Sequence, residues 1–318
     1  MLLRIACCSL LGLACQARAE TLLVPEDHPT IQAGINAALD GDVVSVDAGV
    51  WLGWISFRGK DIVVESRHGA EATTIDGGEA PSAVVFTHGE SQASVLSGFT
   101  VTGSGGGTEF ETLRMGAGMY IHLASPTIED CIIRDCSSQF GGGVSIWEGA
   151  PVFRNVVLRD NTATVDGGGM RIHYLSHPTM ESCVLLNNTA NVHGGGLAYG
   201  NDSNGVHDGC TFEGNVAGIR GGGLSKSCDC SNAVILNSTL CSNTPDHILG
   251  TWDDYGGNEL CPLCAHDLNA DGVVGVDDVL AVVGAWGGCV CVEDITGDAV
   301  VNIDDLLLVI DSWGACPA

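Results

Sequence analysis

The 318-residue chain sets 39 acidic side chains against 12 basic ones, a formal net charge of −27, and beyond Lys226 it contains neither Lys nor Arg. So large an acidic excess argues against nucleic-acid phosphates and anionic lipid surfaces as partners and favours cations. No apolar run reaches the roughly 18 residues of a membrane-spanning helix, so no membrane span is expected, while an apolar content of 45% is ample for a core.

Residues 1–19 read as a signal peptide. Arg4 precedes an apolar run from Ile5 to Ala14, and Ala17-Arg18-Ala19 supplies a small-residue cleavage site. The mature protein is therefore expected to be secreted or held at the cell surface. Cleavage would remove Cys7, Cys8 and Cys15 and leave twelve cysteines, an even number suited to partial disulfide pairing in an oxidising compartment.

Next comes the amphipathic stretch Thr30-IQAGINAAL-Asp40, with Thr30 as N-cap, expected to cover the open edge of the first coil. Apolar runs at 43–46, 62–64, 74–77, 83–86 and 95–101 read as strands between turns. From residue 116 the chain repeats: GAGMYI from Gly116, GGGVSI from Gly141, GGGMRI from Gly167, GGGLAY from Gly194 and GGGLSK from Gly221. A period of about 25 to 27 residues is the signature of a solenoid, in which each coil buries its apolar face only by stacking on the next.

Period-two alternation puts Met119, Val144, Met170, Leu197 and Leu224 in one inward column and Ile121, Ile146 and Ile172 in another. Asn161, Asn188 and Asn215 each precede their glycines by six residues, and Asn243 continues the series. They are expected to form an asparagine ladder at a corner where Asn tolerates left-handed backbone angles. Pro126, Pro151 and Pro178 mark strand starts, and Cys131, Cys183 and Cys210 share an inward column that reads as core.

The phrases VPEDHPTIQAGINAALDGDVVSVDAGVW, GKDIVVESRHGAEATTIDGG and SPTIEDCIIRDC resemble pectin-lyase-like right-handed parallel β-helix proteins. This resemblance covers 21–255 and implies the fold rather than an activity. The pairing of FEGN with GGGL between Phe212 and Leu224 also resembles repeats of bacterial polymorphic outer-membrane adhesins.

A second repeat closes the chain: DLNADGVVGVDDVLAVVGAWGGC from Asp267 and DITGDAVVNIDDLLLVIDSWGAC from Asp294. Oxygen donors at loop positions one, three, five and twelve suit Ca2+, a hard cation that takes six to eight oxygens. The first loop offers Asp267, Asn269, Asp271, the Val273 carbonyl and Asp278; the second offers Asp294, Thr296, Asp298, the Val300 carbonyl and Asp305. Ala299 replaces the turn glycine and Thr296 is neutral, so the second loop is expected to bind more weakly. Each loop runs into one apolar helix, an arrangement that resembles a type I dockerin of a Gly-Cys variant. That resemblance implies a cohesin-like or cell-surface anchoring partner, although Val276-Asp277 and Ile303-Asp304 depart from the Ser-Thr pairs of many cohesin-binding dockerins. Cys261, Cys264, Cys289, Cys291 and Cys316 are expected to form disulfides rather than a zinc site.

Outward columns of the solenoid supply candidate working groups. Tyr120, Ser145 and Arg171 form one, His122, Trp147 and His173 a second, and Asp166, His193 and Arg220 stand just before successive glycine clusters. In an enzyme, His173 or His193 would act as general base and Arg171 would meet a developing uronate charge, with Asp166 beside them. Trp147, Tyr120, His122 and Arg220 would hold the sugar. The competing reading is an ordinary solvated ladder of charges.

The fold expectation is an all-β right-handed parallel β-helix, or β-solenoid, over 20–258, followed over 259–318 by a small α-helical calcium-loop dockerin-like domain. Two functions are open: binding extracellular polysaccharide, with cleavage as a lyase or glycoside hydrolase, or acting as a non-catalytic adhesin or structural cell-surface protein.

Overall fold

The computed structural model describes residues 19–103, 108–110, 113–226, 230–261, 266–268, 273–288, 293–296 and 299–315. The expected signal segment falls almost wholly outside them, as do Asn269, Asp271, Asp298, Cys264, Cys289, Cys291 and Cys316.

Among the described residues, strands stack into sheets of ten, nine, eight and six members, each successive coil contributing one strand to each sheet through the repeats. Pairing is parallel throughout the solenoid except for Thr108–Phe110 against Leu113–Met115. The expected inward columns are met: Met119↔Val144, Val144↔Met170, Met170↔Leu197 and Leu197↔Leu224 pair in register, and all five are fully buried. Each such side chain contributes about 1.5–3 kcal/mol by leaving water. Upstream, the expected strand over 95–101 divides into Val95–Ser97 and Thr100–Thr102, because Gly98 turns the chain with φ 76° between them.

The asparagine ladder forms and is fully buried. Asn161 Nδ2 donates to Asn188 Oδ1 at 3.0 Å, Asn188 Nδ2 to Asn215 Oδ1 at 2.9 Å, and Asn215 Nδ2 to Asn243 Oδ1 at 2.9 Å. Each amide also ties the previous coil's backbone, as in Asn188 Nδ2 to Leu158 O at 2.9 Å. The ladder residues themselves do not take left-handed angles. Asp160 and Asn187, the residues before them, do so at φ 58° and 54°. The amide must point inward to find its neighbour, so the turn is absorbed one position earlier. His247 ends the ladder, with Nδ1 3.3 Å from Asn243 Nδ2 and Nε2 2.8 Å from Cys261 O.

Helix α1, Ile31–Ala37, covers the first rungs and buries Ile31 and Ile35. Thr30 Oγ1 accepts from Ala33 N at 3.1 Å, the expected N-cap. Lys60 Nζ donates to the carbonyls of Ile35, Asn36 and Ala38, which lack partners at the helix's other end. At the opposite edge the last strands are short: Ile248–Leu249, Asp253–Asp254 and Glu259–Leu260. The solenoid thus runs past the expected boundary at 258, since Glu259–Leu260 pairs with Thr239 and Leu240, and a disulfide joins Cys241 to Cys261. Cys261 therefore serves the β-helix and not the terminal unit.

That unit holds α2, Val276–Gly284, and α3, Ile303–Asp311, on a separate small core of Val274, Val282, Val301 and Val309. Among the described residues, none of its helices is long and apolar enough to cross a membrane.

Candidate functional site

The site grows out of a corner. At Phe140 and Asp166 the six-stranded sheet ends immediately before a glycine cluster, while at His193 and Arg220 it is continued by isolated bridges; the eight-stranded sheet begins immediately after each cluster. Gly167 makes the turn at φ 71°, and a Cβ on Gly168 would stand 2.4 Å from both Gly195 O and Thr189 O, so only glycine admits this stacking. The turn is sharp enough to bring the last residue of one sheet against the outward face of the next.

Register assembles the expected groups. Tyr120↔Ser145 and Ser145↔Arg171 are paired, as are His122↔Trp147 and Trp147↔His173. Asp166, His193 and Arg220 stack through parallel bridges, and His193 N donates to Asp166 Oδ1 at 3.1 Å. Asp166 Oδ2 lies 3.2 Å from Arg171 Nη1 across the corner, with their side chains only 14% and 10% exposed. Arg220 parts from this group: it is largely exposed and pairs with Asp246 of the following coil.

The outward face is not the flat, solvated surface that alternation suggests. Tyr120 is 3% exposed and Arg171 and His173 are 8% each. The sequence reading missed Phe140, which pairs with Met115 on one side and Asp166 on the other and so belongs to the column of residues preceding the glycines. Its ring meets His173 edge-on at 5.8 Å and lies 5.9 Å from the Arg171 guanidinium carbon. Trp147 stacks on the other part of His173 at 5.1 Å, and its Nε1 donates to Glu148 Oε1 at 3.2 Å. The position of Phe140 immediately before Gly141 was the available signal.

Burial sets the charge states. It lowers the pKa of Arg171, opposed by the Asp166 carboxylate, and it pushes His173 well below the ordinary histidine value, reinforced by the Arg171 charge. His173 is therefore neutral at neutral pH. Burial pushes Tyr120 up to about 12 and lowers His122, with Glu148 opposing the latter shift. Among the described residues, the buried side-chain nitrogen and oxygen atoms without a hydrogen-bond partner are concentrated here: those of Tyr120, Ser145, Arg171, His173, His193 and Ser225, with His207 Nδ1 the exception. The Arg171 Nη1 contact with Asp166 is an ion pair without hydrogen-bond alignment. Leaving such groups unmatched costs about 1–3 kcal/mol each, so the face is chemically suited to a polar ligand.

In the terminal unit, Asp278 Oδ1 accepts from Leu268 N at 2.6 Å and Oδ2 from Gly275 N at 2.7 Å. Asp305 repeats the arrangement with Thr296 N at 2.9 Å and Asn302 N at 2.8 Å, and these backbone donors, Thr296 first, lower its pKa. Thr296 Oγ1 lies 3.0 Å from Asp305 Oδ1 and 3.5 Å from Asp294 Oδ1, so three expected oxygen donors of the second loop share one region. Ala299 takes φ 68° at the turn and its N–H donates to Asp294 Oδ2 at 2.8 Å. Among the described residues, no three His, Cys, Asp or Glu side chains form a metal-holding group. The two helices and the residues just after them expose equivalent apolar side chains: Val276 and Leu280 on α2 with Trp286 following it, and Ile303 and Leu307 on α3 with Trp313 following it.

No curated protein matches the chain in a comparison of sequences. The family model for the right handed beta helix region matches residues 82–240, half of the chain. That stretch contains the glycine corners of the stacked repeats and the ladder asparagines Asn161, Asn188 and Asn215, and the chain belongs to the right-handed β-helix family.

Proposed function

We propose that this is an exported polysaccharide-directed β-helix protein that binds its glycan along the eight-stranded sheet. The row of buried side-chain atoms without hydrogen-bond partners on Tyr120, Ser145, Arg171 and His173 carries the reading. Arg171 meets an anionic substituent of the sugar, Trp147 packs on a ring face, and Tyr120, His122 and Arg220 extend the contact along the axis. In the catalytic form of the reading, neutral His173 accepts a proton through Nε2, with His193 as the alternative base and Asp166 holding Arg171 in place. The product would be an unsaturated uronate in a lyase, or a new reducing end alone in a hydrolase.

One observation favours the non-catalytic adhesin or structural protein. Arg171 and Asp166 already neutralise each other out of water, as a structural ion pair does. Product release from a panel of acidic and neutral polysaccharides, read as unsaturated-uronate absorbance and reducing ends together, separates the two. No product and no binding that depends on Arg171 would sink the polysaccharide reading.

The terminal unit is proposed as the dockerin-like tether. Its donors are all oxygens, as Ca2+ requires: Asp267, Asn269, Asp271, Val273 and Asp278 for the first ion, and Asp294, Thr296, Asp298, Val300 and Asp305 for the second. Bound calcium would supply the cross-link that fixes each loop to its helix. The exposed apolar columns of α2 and α3 are the proposed docking face for a cohesin-like or cell-surface anchoring partner. Circular dichroism of the whole protein with and without a chelator tests this; equal helical signal would overturn it.

A further inference from the structure

Four cysteines of the solenoid, Cys131, Cys136, Cys183 and Cys210, are buried thiols. Two of them are not isolated. Val184↔Thr211 pair in parallel register and Thr211 N donates to Cys183 O at 2.8 Å, so Cys183 and Cys210 oppose each other on adjacent rungs. Their side chains both point inward, 0% and 1% exposed. The Cys210 thiol reaches back to the rung of Cys183, with Sγ 3.6 Å from Met180 O. Adjacent rungs stand about 4.8 Å apart, within the roughly 4.4–6.8 Å between Cα atoms that a disulfide spans.

The same relationship already carries a disulfide elsewhere in the solenoid. Leu240↔Leu260 pair in register, and the next residues, Cys241 and Cys261, are bonded with Cα atoms 4.9 Å apart. Cys131 cannot compete for either thiol, because the rung holding Val156 lies between it and Cys183 and doubles the separation to about 9.6 Å.

We propose that Cys183 and Cys210 form a second axial disulfide when the chain folds in an oxidising medium, leaving Cys131 and Cys136 as thiols. The oxidant is a small disulfide such as oxidised glutathione. One cysteine thiolate attacks it, forming a mixed disulfide and releasing one glutathione thiolate; the second cysteine then attacks the protein sulfur and releases the other. Two protein thiols become one disulfide, two glutathione thiols are formed, and the two electrons pass to the glutathione pair. Because both sulfurs are closed from solvent in the finished core, exchange belongs to the stage before the rungs close. Afterwards the bond is shielded from reductant.

The full chain is refolded with reduced and oxidised glutathione at a ratio that closes Cys241–Cys261, then alkylated in denaturant and digested for mass spectrometry. The expected result is a cross-linked peptide pair containing Cys183 and Cys210, two hydrogens lighter than the reduced pair, with Cys131 and Cys136 alkylated. In Cys183→Ser, Cys210 should become alkylatable while the other assignments stay the same. Cys183 and Cys210 both alkylated while Cys241–Cys261 is closed would overturn the proposal, as would stable glutathione adducts or a bond from either residue to Cys131.

Discussion

Asp166 faces Arg171 across a glycine corner, Oδ2 to Nη1 at 3.2 Å, with both side chains almost closed from water. Removing the carboxylate strands a buried cation. Arg171→Met strands the buried Asp166 carboxylate in the same way, so each single variant should lower stability by about 3 kcal/mol or more in urea unfolding, whereas the double variant Asp166→Asn/Arg171→Met, which removes both charges, should cost much less than the sum. If Arg171 serves a glycan, the double variant loses binding while staying folded. Additive losses in the double variant would refute the ion-pair account.

Asn188 answers four polar groups at once: it donates to Leu158 O and Asn215 Oδ1, and accepts from Asn161 N and Asn161 Nδ2. Asn188→Ala leaves most of these without partners in the core. A loss of about 3–5 kcal/mol follows from the cost of unmatched buried groups, measured as a fall in denaturant midpoint with little change in slope. Asn188→Asp keeps the acceptor and loses the donor, so it should fall between.

Acid should weaken the solenoid through His207. Its Nε2 is 2.5 Å from the Tyr199 hydroxyl in the core, and burial lowers its pKa to about 4 from 6.5. The unfolded chain takes up the proton first as pH falls. Stability from this group is therefore fully present above about pH 6.5 and declines down to about pH 4, by roughly 3 kcal/mol. His173 is lowered in the same direction and adds to the slope. His207→Gln should flatten the dependence of urea stability between pH 7 and pH 4.5; an unchanged slope would exclude His207 as a source.

How far these features could be read from sequence depends on whether they follow the repeat. Met119 to Leu224 and Asn161 to Asn243 recur at one spacing with one chemical type, so stacking makes each column self-evident. The burial of Arg171 and His173 was not legible, because alternation distinguishes inside from outside only while nothing lies over the outer face. Phe140 occupies the position that Asp166, His193 and Arg220 occupy in later coils, but its chemical difference hides it from a search for like residues. The left-handed turns at Asp160 and Asn187 escaped for a related reason: the amide repeated from coil to coil needed its inward direction, and a neighbour of no fixed identity took the left-handed angle.

Ala299 holds a backbone angle that glycine adopts freely and alanine does not. Ala299→Gly should stabilise the second loop by up to about 1 kcal/mol, seen as a higher melting temperature of the terminal unit, and should tighten any calcium bound there. Unchanged melting and affinity would mean that the turn relaxes without cost.

The two edges of the solenoid are finished differently. One lies under α1, held by Thr30 and Lys60, and the other ends on brief strands that present Asp253, Asp254 and Glu259. A fibril grows when a parallel sheet offers a neighbour's strand an unprotected template. Here an approaching molecule meets a helix on one side and mutually repelling carboxylates on the other, so a fold built from a repeat that could propagate without limit is kept to a fixed number of layers.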